Sequence, residues 1–301
     1  TIKIQLLMDY GDAIYYTLPD TSIVYYNKAL SLSKQLKNKK LEAHSLLYIG
    51  YYLDDKARYR EALNHYLEAL ELYKSIGDEQ GIADCYSYIG YSFSYLNSVE
   101  KSIEYYLKSL ENIKKLNDSI GIADINNSFG HLYFENENYN KAEKYYLIAK
   151  DIYKNTKDGN GLLSAYINLG NAISEQGRID EGLDYYFKSI DMSKEIGDNQ
   201  GTAISYANIG ECYLIKKDYK KAINYLNNAL KLADSINYPI LKPLILSNIA
   251  QTKLNLKEFD SVIVYVNKSL ESSKNLPSYY FEYENHKYLS SALEAKGEYK
   301  K

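Results

Sequence analysis

The residues in this 301-residue chain whose types could do chemistry are four histidines, two cysteines, an adjacent pair of aspartates and one glycine-rich acidic segment. That segment, Lys157-Asp158-Gly159-Asn160-Gly161, has the look of the middle of a calcium loop. The first ligand of such a loop would be Thr156 and its bidentate twelfth would be Ile167, so two essential oxygens are missing. Gly159-Asn160-Gly161 also lacks the lysine and the serine or threonine of a phosphate-binding loop. His44, His65, His131 and His286 are scattered, no pair has metal-ligand spacing, and surface or packing roles are expected. Asp54 and Asp55 would stand about 100° apart on a helix instead of converging on a substrate, and read as a solvated helix end. No catalytic, metal-binding or cofactor-binding constellation emerges, and the expectation is a chain that is not an enzyme and holds no cofactor.

The order in the chain lies elsewhere. Gly50, Gly90, Gly130, Gly170 and Gly210 recur every 40 residues, and Ala250 and Ser290 continue the series. A second series of small residues keeps the same period: Ala29, Ala69, Ser109, Ala149, Ser189, Ala229 and Ser269. Two independent ladders define a repeat array, expected as one body over residues 1–301. Its units run approximately 1–39, 40–79, 80–119, 120–159, 160–199, 200–239 and 240–277, with a partial unit at 278–301.

Composition agrees. Apolar residues at 46% suffice for a continuous core, and four prolines suit long helices. A net charge of −3 gives no electrostatic reason to expect nucleic acid. No apolar run approaches the roughly 18 residues that span a bilayer, so membrane contact is not expected. Cys85 and Cys212 lie about three repeats apart, too far for the roughly 7 Å between Cα atoms that a disulfide allows. Two free thiols favour a reducing compartment. Thr1 is not an initiator, and Lys301 falls inside a segment, Gly297-Glu298-Tyr299-Lys300-Lys301, that matches the start of earlier second helices. The chain is therefore expected to be a piece of a longer protein.

One unit shows the physics. Leu46, Ile49, Gly50 and Leu53 share a face of a first helix, expected over 40–56, and Asp55-Lys56-Ala57-Arg58 breaks it. Tyr59, Ala62, Tyr66 and Ala69 mark the buried face of a second helix, expected over 59–76. Gly50 and Ala62 lack bulk where two antiparallel helices approach closely. Gly77 is expected as a left-handed cap and Asp78 as the N-cap of the next helix. The same junction recurs at Asn117-Asp118, Lys157-Asp158 and Gly197-Asp198, and Pro239 and Ser278 give helix-start signals later. The pairs Tyr25-Tyr26, Tyr105-Tyr106, Tyr145-Tyr146 and Tyr185-Tyr186 are expected to pack in the core and between repeats.

With Gly50 at repeat position 8, Ala62 falls at 20, Tyr66 at 24 and Ala69 at 27, and Leu46 and Ile49 take positions 4 and 7. This pattern resembles the tetratricopeptide repeat. In the first unit the same register puts Tyr10 in the glycine slot. The 40-residue period is similar to the long-helix variant of kinesin light chains and many bacterial signalling proteins. The resemblance implies an all-α, right-handed superhelical solenoid of about seven helix pairs and a final unpaired helix. It also implies that first helices line a concave groove where ligands bind.

Helical geometry then nominates the groove. Opposite the core face lie positions 44, 48, 51 and 55 and their equivalents. The early groove is aromatic and acidic, with Tyr48, Tyr51, Asp55, Asp84, Tyr88, Tyr91 and Tyr95. The middle carries Asp124, His131, Glu135, Asn168, Asn171, Glu175, Asn208 and Glu211, and Asn248 follows. These four columns hold no lysine or arginine after the first repeat, although the chain has 36. The basic residues favour second helices, as in the column Lys28, Lys108, Lys188 and Lys268. One-signed charge selects an oppositely charged partner, so the expected ligand is a neutral or basic extended peptide or protein segment. Tyr51 and Tyr91 would anchor its side chains. Asn168 and Asn208 would hold its backbone, because an amide offers a donor and an acceptor together.

The resemblance, with the Asp20-Thr21 lead-in, implies the ligand-sensing module of a larger bacterial signalling protein, ahead of a histidine kinase or helix-turn-helix output domain. Such modules are often periplasmic; a cytoplasmic site is the alternative. The competing reading is a structural adaptor that mediates assembly or self-association, for instance as a homodimer.

Overall fold

A computed structural model describes residues 1–15, 18–274 and 279–298, and among them every regular element is helical. In chain order these are α1 (Ile2–Tyr15), α2 (Pro19–Gln35), α3 (Lys39–Asp55), α4 (Tyr59–Ile76), α5 (Glu79–Tyr95), α6 (Val99–Lys115), α7 (Ser119–Glu135) and α8 (Tyr139–Thr156). They continue with α9 (Gly159–Glu175), α10 (Ile179–Ile196), α11 (Asn199–Ile215), α12 (Tyr219–Ser235), α13 (Lys242–Asn255), α14 (Phe259–Ser273) and α15 (Tyr279–Lys296). The described helices thus make seven pairs and a final first helix. By contact the chain falls into two compact units, Thr1–Ile152 and Tyr153–Lys301.

The helix starts are set by carboxylates. Asp78, Asp118, Asp158 and Asp198 accept from the backbone N–H of Gly81, Gly121, Gly161 and Gly201 at 2.9–3.1 Å. Each cap contributes about 1 kcal/mol, and this is the role Asp158 plays in the calcium-like segment. Helix ends close through left-handed residues: Gly77 and Gly197 as expected, but also Asn117 (φ 55°) and Lys157 (φ 59°). Pro239 opens a 3-10 turn, Pro239–Leu241, ahead of α13. Ser278 lies outside the described residues.

Within the first five pairs the glycine of the first helix receives a ring of the second. A Cβ at Gly50, Gly90, Gly130 or Gly170 would stand 2.4–2.6 Å from Tyr66, Tyr106, Tyr146 or Tyr186. Leu226 takes the place of the ring over Gly210. Ala250 lies in one cluster with Val266, so a smaller partner accompanies the larger small residue. The first repeat corrects the sequence register. Gly11, not Tyr10, lies under the Tyr26 ring, its Cβ direction 2.5 Å from the ring. The interval from Gly11 to Tyr26 is one residue shorter than that from Gly50 to Tyr66, and a fixed period of 40 misses it by one.

Asp54 is the second correction. It is not part of a solvated helix end: it is buried and accepts the Tyr66 hydroxyl at 2.8 Å and the Ser92 hydroxyl at 2.9 Å. Asp55, next to it, is exposed and accepts the Tyr15 hydroxyl. The lysine column also gains a reason. Lys28, Lys108, Lys188 and Lys268 lie over the rings of Tyr25, Tyr105, Tyr185 and Tyr265, 4.6–5.5 Å from the centroids. The residue three positions earlier on a helix is the next one up the same face. In the doublets Tyr25-Tyr26, Tyr105-Tyr106 and Tyr185-Tyr186 the first tyrosine therefore seats a cation while the second fills the core.

Candidate functional site

In the first unit, the first helices α1, α3 and α5 present a cavity of about 580 Å³ walled by Tyr15, Tyr26, Tyr48, Tyr51, Tyr73 and Tyr88. Four of the residues nominated from sequence, Tyr48, Tyr51, Asp84 and Tyr88, line it together. The tyrosine rings fall into two contacting groups, one around Tyr48 and one around Tyr51 and Tyr88. Tyr48 stacks on Tyr26 with centroids 5.0 Å apart, Tyr51 lies 5.3 Å from Tyr15, and its edge meets Tyr88 at 6.1 Å. Tyr88 stacks in turn on the core ring of Tyr66 at 5.3 Å. Burial, and for Tyr48 the neighbouring Asp12, holds the phenols of Tyr48 and Tyr88 protonated well above the ordinary tyrosine range.

Three carboxylates and one ammonium share the walls. Asp12 accepts the Tyr26 hydroxyl at 2.7 Å. Asp78 takes Lys40 Nζ at 2.7 Å besides its helix cap, and this pair holds its carboxyl below the usual carboxylate value. Asp84 accepts from Gln80 Nε2 at 3.0 Å. Burial pushes the Asp84 carboxyl up, and the nearby Asp78, Asp118 and Asp124 push the same way against the Gln80 bond. His44, also in the wall and 4.8 Å from the Tyr48 ring, is driven toward its neutral form by burial. Lys40 stands outside the four columns read from sequence, so the walls are not free of cations. Its charge is nonetheless matched by Asp78.

The other nominated residues sit apart from this cavity. Tyr91 is exposed beside Tyr95, centroids 4.8 Å apart, and Tyr95 lies 5.9 Å from the ring of His131. His131 approaches Glu135 at 3.8 Å, and burial lowers its pKa against the pull of that carboxylate. In the second unit, Asn171 accepts from both the Tyr186 hydroxyl at 2.7 Å and Asn208 Nδ2 at 3.1 Å, so these two amides bind each other. Asn168 is half-buried on the same helix. Glu211 and Asn248 line a second cavity of about 370 Å³ with Gln251 and Glu284. The Nδ2 of Asn248 is buried there beside Glu211. Loss of water and the charge of Glu175 push the Glu211 carboxyl upward.

Sequence reading missed Asp12, Tyr15, Tyr26 and Tyr73 as cavity walls. Asp12 was hidden by the one-residue register error. Tyr73 had a signal: a Cβ at Gly81 would stand 2.4 Å from its ring, so the second glycine of the Asp-x-x-Gly junction makes room for an aromatic pointing toward the first-helix face.

Paired helices of near-constant length, locked by the same small-residue contact, make this an all-α repeat solenoid. Models of the tetratricopeptide repeat match residues 43–76, 123–157 and 161–235. The chain is a tetratricopeptide-repeat protein. No curated protein matches it in sequence. Among solved structures it is similar to a signal transduction ATPase with numerous domains, a protein with a tetratricopeptide repeat sensor, from Pyrococcus horikoshii. That match has a TM-score of 0.74 at 18% identity and covers 98% of this chain but 45% of the other. A Rap protein complexed with competence and sporulation factor matches with a TM-score of 0.72 at 17% identity, over 91% of this chain and 76% of that one. A tetratricopeptide repeat protein from Parabacteroides merdae matches at 0.63 and 15%, over 97% and 100%.

Proposed function

We propose that the chain is a protein- or peptide-binding scaffold whose first-helix face receives an extended, neutral or basic segment. In this reading it is the ligand-sensing module of a larger bacterial signalling protein. The observation that carries the proposal is the convergence of Tyr48, Tyr51, Asp84 and Tyr88 on one concave site with unmatched negative charge. Large, mostly apolar pockets with a few placed polar groups are the usual form of a binding site. The sensor repeats of the Pyrococcus protein and the complexed Rap protein are built on a similar fold, which supports a sensing role. The test is a peptide-library pull-down, followed by alanine replacement of Asn168 and Asn208 together. Neutral or basic peptides are expected, with weaker binding by the double variant. Enrichment of acidic peptides would refute the charge argument, and unchanged affinity in a folded double variant would remove both asparagines from the site.

A structural adaptor is the second reading, favoured by the exposed Leu67 and Leu107, one repeat apart on α4 and α6, at 43% and 53% exposure. Sedimentation of the wild type beside Leu67→Ser/Leu107→Ser separates the two readings. Self-association that this variant abolishes supports the adaptor, and a monomer at all concentrations removes self-association from consideration.

A further inference from the structure

We propose that the tyrosine-walled cavity of the first unit is the pocket for one basic side chain, arginine or lysine, of the bound segment, with Asp84 receiving its charge. This rests on the peptide-binding reading above and assigns that site its specificity.

The three wall carboxylates are not equivalent. Asp78 is occupied twice, by Lys40 and by the backbone of Gly81. Asp12 is engaged by the hydroxyl of Tyr26, with Tyr48 beside it. Asp84 accepts one hydrogen bond among the described residues, from a neutral amide, and a carboxylate has room for about four. It therefore keeps acceptor capacity on the side of the cavity. Its surroundings also leave it in need of a cation, because burial and the carboxylates of Asp78, Asp118 and Asp124 all disfavour its charge. Lys40 is held by Asp78, and burial favours the neutral form of His44.

The walls suit the rest of such a side chain. Asp84 and Tyr88 are one turn apart on the same face of α5, and Tyr51 meets the Tyr88 ring at 6.1 Å. A cation is attracted to ring faces, and arginine, being planar and weakly hydrated, stacks on them while it pairs with a carboxylate. An acidic side chain would meet Asp12 and Asp84 with no unpaired cation to hold it. A purely apolar one would leave Asp84 buried beneath it, at the cost of stripping water from a charge. The volume, about 580 Å³, exceeds a single side chain and leaves space for the residues flanking it.

The experiment has two arms, run on wild type and on the isosteric variant Asp84→Asn. In the first, butylguanidinium and its neutral counterpart butylurea are titrated while the ring signals of labelled tyrosines are followed by NMR. Saturable shifts with butylguanidinium, absent with butylurea and weakened at least tenfold in Asp84→Asn, are expected. Equal response to both compounds in wild type overturns the pocket assignment even if the variant fails to fold. In the second, a positional-scanning peptide library is captured on each protein. Arginine or lysine enriched at one position, with citrulline there costing about tenfold in wild type and little in the variant, is expected. Peptides enriched without a basic preference overturn this assignment and leave the peptide-binding reading standing. No enriched peptide, with butylguanidinium still binding through Asp84, overturns the peptide-binding reading and leaves a cation pocket.

Discussion

The hydroxyl of Tyr66 donates to the buried carboxylate of Asp54 at 2.8 Å, and that carboxylate also takes the hydroxyl of Ser92 on the following repeat. One acid thereby ties α3 to its own partner helix and to the next first helix. Burial raises the Asp54 carboxyl to about 6, with the two hydroxyls pulling it back down.

This gives a pH prediction with a definite sign. An unfolded Asp54 would ionise near 3.8, so between pH 4 and 6 the folded chain holds the extra proton. The contribution is fully present below about 3.8 and is lost as pH rises through about 6. At most about 3 kcal/mol is at stake, from roughly two units of displacement. Asp54→Asn keeps an acceptor and does not titrate. Urea denaturation from pH 4 to 7 should show the wild type losing stability relative to the variant as pH rises, and a constant difference would count against the assignment.

Gly90→Ala should destabilise the chain by roughly 1–3 kcal/mol through overpacking, because its new methyl would stand 2.6 Å from the Tyr106 ring. Tyr106→Val alone opens a cavity and should also destabilise. Together they reproduce the Ala250 and Val266 combination that the chain already uses. The double variant is expected to cost less than the sum of the two, and additive losses in a double-mutant cycle would show that the ring and the glycine are not coupled.

The two ladders and the 40-residue register placed the helices to within a residue from α3 to α12, since a period sampled seven times averages out local exceptions. Helix α13 starts two residues late, behind the Pro239–Leu241 turn, and α14 ends three residues early. Two kinds of feature escaped. One was the one-residue-shorter interval from Gly11 to Tyr26, which moves Gly11 and Asp12 by one position and needs tertiary packing to reveal it. The other was polarity inside the core. Asp54 and Asp55 are neighbours with the same side chain, and nothing local says that one meets Tyr66 and Ser92 from two other helices while the other faces solvent. Half of the aromatic site was legible because first-helix columns follow simple geometry. Tyr26 and Tyr73 were not, because they belong to second helices and enter the cavity past missing side chains at Gly11 and Gly81.

Asn171→Leu should lower stability by about 1–3 kcal/mol, the cost of leaving buried partners unpaired. It strands both the Tyr186 hydroxyl and the Asn208 amide. Asn208→Ala removes one donor from a half-buried place and should cost less. Chemical denaturation of the two variants checks the order; Asn208→Ala as the more damaging would contradict this bonding scheme.

Both cysteines should resist thiol reagents in the native state. Cys85 and Cys212 are buried and free. Burial pushes the thiol of Cys85 up and that of Cys212 to about 11, so little thiolate exists at pH 8. Alkylation should be at least about a hundredfold slower than in denaturant, and rapid labelling of either residue in folded protein would refute this.

The left-handed helix ends have an evolutionary side. Among the described residues nine of them are not glycine: Lys37, Ala57, Asn97, Asn117, Glu137, Lys157, Lys217, Asn237 and Lys257. An ordinary residue in that conformation is strained by roughly 1–2 kcal/mol, yet glycine there would loosen the unfolded chain by about 0.4–1 kcal/mol. The second effect offsets about half of the first, so stability favours glycine over lysine at these turns by only roughly 1 kcal/mol. The turns, which lie at both ends of the helix pairs, are therefore weakly constrained ground. Their charges can drift from one descendant to the next without disturbing the helices beneath, and a new partner could be met there long before any change is tolerated under Tyr66 or Tyr106.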